Sequence, residues 1–142
     1  MIHPVTLPGS IEAERAVLGS CLLSAEALET AISDLKPEDF CNNNNKLIFD
    51  VLTQMYSEGK PADYITLPEE LLKRDILDRL GGQTYIDSLV AGVQFTGNVS
   101  YYVNIVRERS VRRKIIAAGE KISRLAFDFE MRFSRISREA IP

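Results

Sequence analysis

The chain has 142 residues, 45% of them hydrophobic and 26% charged, which is enough for one helical or mixed domain with its own core and excludes a low-complexity or fibrous chain. No run approaches the roughly 18 apolar residues of a membrane span, and "MIHPVTLPGS" lacks a secretory signal, so a soluble cytoplasmic protein is expected. The net charge of −3 is unevenly spread: residues 1–100 hold 7 Lys+Arg against 15 Asp+Glu, and residues 101–142 hold 10 against 5, so an acidic head precedes a basic tail.

In chain order, a leader over residues 1–9 ends at Pro8-Gly9. Ser10 is placed to cap a helix with Ala13, Ala16, Val17, Cys21 and Leu22 on one face, and Glu12 and Glu14 near its positive end. Ser24 starts a second helix, "AEALETAISDL", that closes before Pro37. "PEDF" is a turn with Phe40 as an apolar plug. "NKLIFDVLTQMYSEG" has the cleanest period, Leu47, Ile48, Val51, Leu52 and Met55, and Gly59 ends it. "KPADYI" reads as a linker, and Thr66-Leu-Pro-Glu69 as a capping box.

"DILDRLGGQTYIDSL" raises the question of a phosphate loop. Neither GxxxxGK[ST] nor GxGxxG occurs, so the paired glycines end one short helix at Gly81 and lead to another capped by Thr84 with Asp87. Asn98 then opens the longest segment, 98 to 128, whose Val99, Tyr102, Val103, Val106, Ile115, Ile122, Leu125 and Ala126 give a helical apolar period, with a bend allowed at Gly119. No strand alternation occurs, so the fold is expected to be all-α: a compact helical head over 10–97, a long protruding helix over 98–128 and a tail over 129–142.

Little here suits catalysis. His3 is the one histidine, Cys21 and Cys41 form no metal or redox spacing, and Glu38-Asp39 and Glu69-Glu70 fit first helical turns better than acid–base pairs. No catalytic residue, cofactor site or metal site is assigned. "RERSVRRKII" is the one dense basic stretch, and Arg107, Arg109, Arg112, Arg113 and Lys114 are candidates for electrostatic docking, although on a helix they spread round most of the circumference. An apolar stripe on a projecting helix needs an outside cover, which makes the chain an interaction module.

The order of "SIEAERAVLGSCLL", "LKPEDF", "LIFDVLTQMYSEGKPADYITLPEEL", "LDRLGGQTYIDSL" and "TGNVSYYVNIVRERSVRRKIIAAGEKI" resembles the N-terminal domain of DnaB-type bacterial replicative helicases over residues 10 to 128. The resemblance implies a helical head followed by a helical hairpin, of which the long helix is the first arm. It also implies pairing of neighbouring hairpins into a hexameric collar, and recruitment of the C-terminal domain of primase. Tyr85, Ile116 and Ile122 are similar to the positions such domains use for primase contact. Other helicase subunits and a helicase loader are the remaining partners it implies, with DNA and ATP–Mg belonging to a motor domain that this sequence does not contain. The implied setting is a bacterial cytoplasm, at the nucleoid during replication. The tail "DFEMRFSRISREAIP" does not resemble the family's acidic, Leu-rich second arm, and "CNNNNKLIF" has asparagines where relatives often show an aromatic and a His. The other readings of the sequence are a stand-alone helicase-associated adaptor and a small helical nucleic-acid-binding protein using residues 107–124.

Overall fold

The computed structural model describes residues 7–140, with side chains to Phe133; His3 and most of the leader lie outside the described residues. Six α-helices follow in order, with no strand among the described residues: α1 (Ile11–Leu23), α2 (Ala25–Asp34), α3 (Asn43–Ser57), α4 (Thr66–Lys73), α5 (Gly82–Ala91) and α6 (Val99–Ala140). Short 3-10 turns stand at Pro37–Asp39, Asp78–Leu80 and Thr96–Asn98. The all-α expectation is met.

Local chemistry sets most helix ends. The Ser10 hydroxyl accepts from Ala13 N–H, that of Ser24 from Ala27 N–H, and the Asn42 amide oxygen from Asn45 N–H, so each N-terminus has a side-chain cap in place of water. At the end of α3, Gly59 takes a φ of +73°, Lys60 N–H reaches Met55 O at 2.9 Å and Gly59 N–H reaches Tyr56 O at 3.1 Å. This is a Schellman stop, and it satisfies two of the carbonyls a helix leaves over.

The same pattern ends α4 without a glycine: Asp75 sits at φ 59° while Ile76 N–H bonds Leu71 O at 3.0 Å. A side chain in that region is strained, so Asp75→Gly is expected to raise stability by about 0.5–1 kcal/mol, read as a shift of the urea midpoint at constant slope.

Two starts differ from the sequence expectation. Thr66 and Glu69 do not form the capping box. Asp63 takes that role, accepting at 2.9 Å from both Ile65 N–H and Thr66 N–H, while the Thr66 hydroxyl accepts from Asp63 N–H at 2.8 Å. The "KPADYI" linker therefore contains the α4 start, and Tyr64 N–H ties it to Leu22 O at 3.0 Å. The N–H bonds from Thr66 and Ile65 outweigh partial burial and hold the Asp63 carboxyl below its ordinary value. A lowered carboxyl stabilises the fold fully above its unfolded value and loses that contribution as pH falls through the folded one, so the α4 start weakens only in acid. Thr84 does not cap α5, which already begins at Gly82. Gly81 (φ +98°) closes the preceding turn, with Gly82 N–H on Leu77 O at 2.9 Å, and Gly82 itself stands at φ +69°. Both glycines hold left-handed backbone, which lets two helical segments meet with no loop between them.

The described chain divides into two compact units at Ser110/Val111, which lies inside α6 and not at its start. The first unit holds the core: Val17, Leu18, Cys21 and Leu22 of α1, Ile48, Phe49 and Leu52 of α3, Leu67 and Leu71 of α4, and Ile86 and Leu89 of α5. Phe40 is buried against Phe49, ring centroids 4.7 Å apart, as its place after "PED" suggested. Burial pushes the Cys21 thiol up to about 12, so at neutral pH it is an inert, protonated core group. The first turns of α6 complete this unit with buried Val99, Val103, Val106 and Ser110. In the second unit, every described side chain from Val111 to Phe133 is exposed or partly exposed. The helix does not stop at 128, and residues 129–140 continue it as one helix to Ala140. The physical reason is compositional, because no Gly or Pro follows Gly119 before residue 142, and Asp128 and Arg132 stand four apart in the orientation that supports a helix.

Candidate partner-binding surfaces

Tyr85 lies in the first unit, on α5, at the end of a buried polar chain. Glu14, 1% exposed, accepts at 2.8 Å from Cys41 N–H, at 3.3 Å from Asn42 N–H and at 3.1 Å from the Asn45 side-chain amide. Glu14 therefore does not serve its own helix as the sequence suggested. It crosses to the N-terminus of α3, where its negative charge meets free N–H groups and the positive end of that helix. Asn45, fully buried, also accepts the Tyr85 hydroxyl. Over the Tyr85 ring lies Arg15, its guanidinium carbon 5.2 Å from the centroid, and Arg15 also donates to the Ser88 hydroxyl at 3.0 Å. Partial burial raises the Tyr85 phenol above its ordinary range, so it stays a neutral donor to Asn45. Tyr85 is thus half-buried and held from both sides, with only part of its ring presented to solvent.

A second buried pairing fixes the first turns of α6. Asp39 accepts from Lys36 N–H at 2.8 Å and from the Ser110 hydroxyl at 2.6 Å. The carboxylates read as poor acid–base candidates are engaged here and at Glu70, which pairs with Lys60 and Arg74 at 3.5 Å each. A cavity of about 300 Å³ opens beside α1 and α5, lined by Ala16, Ser20, Gly92, Phe95, Asn98 and Tyr102 among others, and none of its lining side chains is charged. It offers no chemistry. Among the described residues no His/Cys/Asp/Glu cluster could hold a metal ion, and no helix is long and apolar enough to cross a membrane.

Ile116 and Ile122 lie in the second unit. Ile116 is partly exposed and Ile122 is 68% exposed. Six residues apart on a helix, they point about 120° away from each other, so they do not share one face. Ile122 instead aligns with Val111, Ile115, Leu125 and Phe129, all exposed. The basic candidates divide as well. Arg107 and Arg109 belong to the first unit, where Arg109 pairs with Glu108, and Arg112, Arg113 and Lys114 belong to the second. Three consecutive helical residues point about 100° apart in turn and cannot form one dense patch.

The bridging roles of Glu14, Asn45, Arg15, Ser88, Asp39 and Ser110, which organise the first unit, were missed in the sequence. One signal was available for Glu14, which falls in phase with Val17, Leu18 and Cys21 on the apolar face of α1.

A family model of the DnaB-like helicase N terminal domain matches residues 6–108. The chain belongs to that family. It is 34% identical over 125 residues to the replicative DNA helicase DnaB of Leifsonia xyli subsp. xyli, covering 88% of this chain and 27% of that protein. With the Geobacillus stearothermophilus DnaB it shares 39% identity over 116 residues, covering 82% of this chain and 26% of the relative. The crystal structure of the N-terminal domain of DnaB helicase from Mycobacterium tuberculosis superposes with a TM-score of 0.81 at 33% identity, covering 86% of this chain and 88% of that one. The chain thus spans about a quarter of the length of the replicative helicases it matches.

Proposed function

We propose that this DnaB-like domain acts in DNA replication by contact alone, recruiting primase through its C-terminal domain and stabilising a helicase ring through other copies of the domain. The observation that carries this is the exposed apolar surface of the second unit, with Ile122 68% exposed and Ile115 65%, in a chain of this family. Apolar surface of that extent on a helix marks an interface. Tyr85, Ile116 and Ile122 are the proposed primase contacts. ATP and Mg would act only in a motor domain of the longer protein, a helicase loader would be a further partner, and the setting would be the cytoplasm. The basic residues are not proposed as a nucleic-acid site, because as a set they spread round most of the circumference of α6.

The test is a titration against the C-terminal domain of the cognate primase, with Ile116→Ala, Tyr85→Ala and Tyr85→Phe alongside the unaltered domain. Tyr85→Phe keeps the ring under Arg15 and loses only the bond to Asn45, so it should bind nearly as well. Ile116→Ala is expected to weaken binding roughly 10-fold with an unchanged helical spectrum. Binding that all three substitutions leave untouched would remove these residues from the interface.

A further inference from the structure

The uncharged cavity of about 300 Å³ lies where α5 ends at Gly92 and α6 begins after Asn98, and the fold leaves its hydrogen-bonding groups unspent. Ser20 is 2% exposed, and its hydroxyl has no hydrogen-bond partner among the described residues. A polar group sealed away without a partner is costly, and no such side-chain atom occurs among the described residues. The hydroxyl therefore opens on the cavity that Ser20 lines. The side-chain amides of Gln94 and Asn98 have no partner among the described residues either. Asn98 stands at the start of α6 without spending its amide on that helix.

One wall is aromatic. A Cβ at Gly97 would stand 2.5 Å from Phe95 Cε1 and Cζ, so the Phe95 ring lies against backbone where only glycine leaves room. Phe95 is nevertheless 67% exposed, which leaves its other side open. Half-buried Tyr102 supplies a second ring to the lining.

We propose that this cavity binds an extended, uncharged stretch of a partner peptide. An aromatic side chain of that peptide packs on Phe95 and Tyr102, and its backbone pairs with Ser20, Gln94 and Asn98. Each peptide group brings one donor and one acceptor, and a side-chain amide answers both, as a hydroxyl does. The volume is at the small end of ligand pockets, which run roughly 300–1,000 Å³, so it suits one side chain with its flanking peptide groups and not a folded element.

A nucleobase would satisfy the same rings and amides, but charge argues against a nucleic-acid strand. Residues 1–100 hold 7 Lys+Arg against 15 Asp+Glu, and no cation lines the cavity. The adjoining cavity shares Ala16 and Gly92 with this one and holds Glu12 and Arg15, and Arg15 is engaged by Ser88 and the Tyr85 ring. Phosphates there would meet repulsion with no free counter-charge.

The inference goes beyond the primase and ring contacts proposed above. It uses none of Tyr85, Ile116 and Ile122, so its failure leaves that reading standing.

The probe is the capped peptide acetyl-Gly-Phe-Gly-amide, titrated into the isotope-labelled domain to about 10 mM, with adenosine titrated in parallel and backbone amide shifts read by NMR. Saturable shifts centred on Gly92, Val93 and Asn98 are expected, with a Kd of about 1 mM. Phe95→Ala should weaken binding at least ~10-fold, and Ser20→Ala about 5-fold. Ser20→Ala separates binding from structure, because a hydroxyl with no partner in the fold can be removed without lowering Tm. Gly97→Ala should also weaken binding, since it displaces the Phe95 ring while keeping it.

No shift at about 10 mM would overturn the proposal, as would shifts that saturate elsewhere on the domain or an affinity indifferent to Phe95→Ala. Adenosine saturating the same amides more tightly than the peptide would overturn it too, and would make the cavity a base site.

Discussion

Glu14→Ala is expected to lower the stability of the domain by about 3 kcal/mol, because it removes the acceptor of the buried Asn45 amide and of the Cys41 and Asn42 N–H groups at the start of α3. That is a large share of the roughly 5–15 kcal/mol that holds a domain of this size folded. The charge matters beyond the count of bonds, since the carboxylate sits where α3 presents its positive end. Glu14→Gln keeps the shape and one acceptor oxygen, and should lose about half as much. Urea denaturation followed by helical signal measures both. The loss should appear as a lower midpoint at unchanged slope, and a loss under about 1 kcal/mol for Glu14→Ala would show that water takes the place of the carboxylate. The effect should reach Tyr85, since Asn45 holds both Glu14 and the Tyr85 hydroxyl. Freed from Asn45, the Tyr85 ring should gain solvent exposure, measurable as increased acrylamide quenching of tyrosine emission in a variant retaining Tyr85 as its only tyrosine.

Gly19→Ala is expected to cost about 3 kcal/mol, for the opposite reason: too many atoms in place of too few polar partners. A Cβ at residue 19 would stand 2.2 Å from the Leu89 carbonyl oxygen and 2.5 Å from Val93 Cγ2. The first of these is backbone, so no rotamer change relieves it, and α1 must move away from α5. The same step should disturb the Arg15–Ser88 bond, which spans these two helices. Gly119→Ala is the control. Its Cβ meets nothing, and the change should stabilise the helix by up to about 1 kcal/mol. Equal effects from the two substitutions would mean that α1 and α5 do not approach as closely as described.

The sequence was most informative where one residue acts on the next few. Ser10, Ser24 and Asn42 cap the helices they precede, and Gly59 and Gly81 end helical segments with positive φ, because each of these interactions spans three to five residues and depends on little else. Where two local solutions competed, the sequence pointed to the wrong one. Asp63 outbid Thr66 at the start of α4, and a second left-handed glycine let α5 begin before Thr84.

The partner-binding candidates were legible as residue types and not as surfaces. An apolar residue on a helical period is known to need cover, but the period does not say what supplies it. Val103 and Ile122 were both read into the apolar period of α6, yet the first is fully buried in the core of the first unit and the second is 68% exposed. Tyr85 was singled out by resemblance as a partner contact, and it is held by Asn45 and Arg15, partners 40 and 70 residues away in the chain. By itself, then, the sequence determined the family, the helical class and most of the helix ends, all of which follow from short-range order along the chain. Only the tertiary structure decided that Glu14 and Asp39 turn inward to cap and clamp distant segments, and which apolar residues of α6 are left uncovered. Those outcomes depend on contacts between residues tens of positions apart, whose desolvation and geometry exist only once the helices have packed.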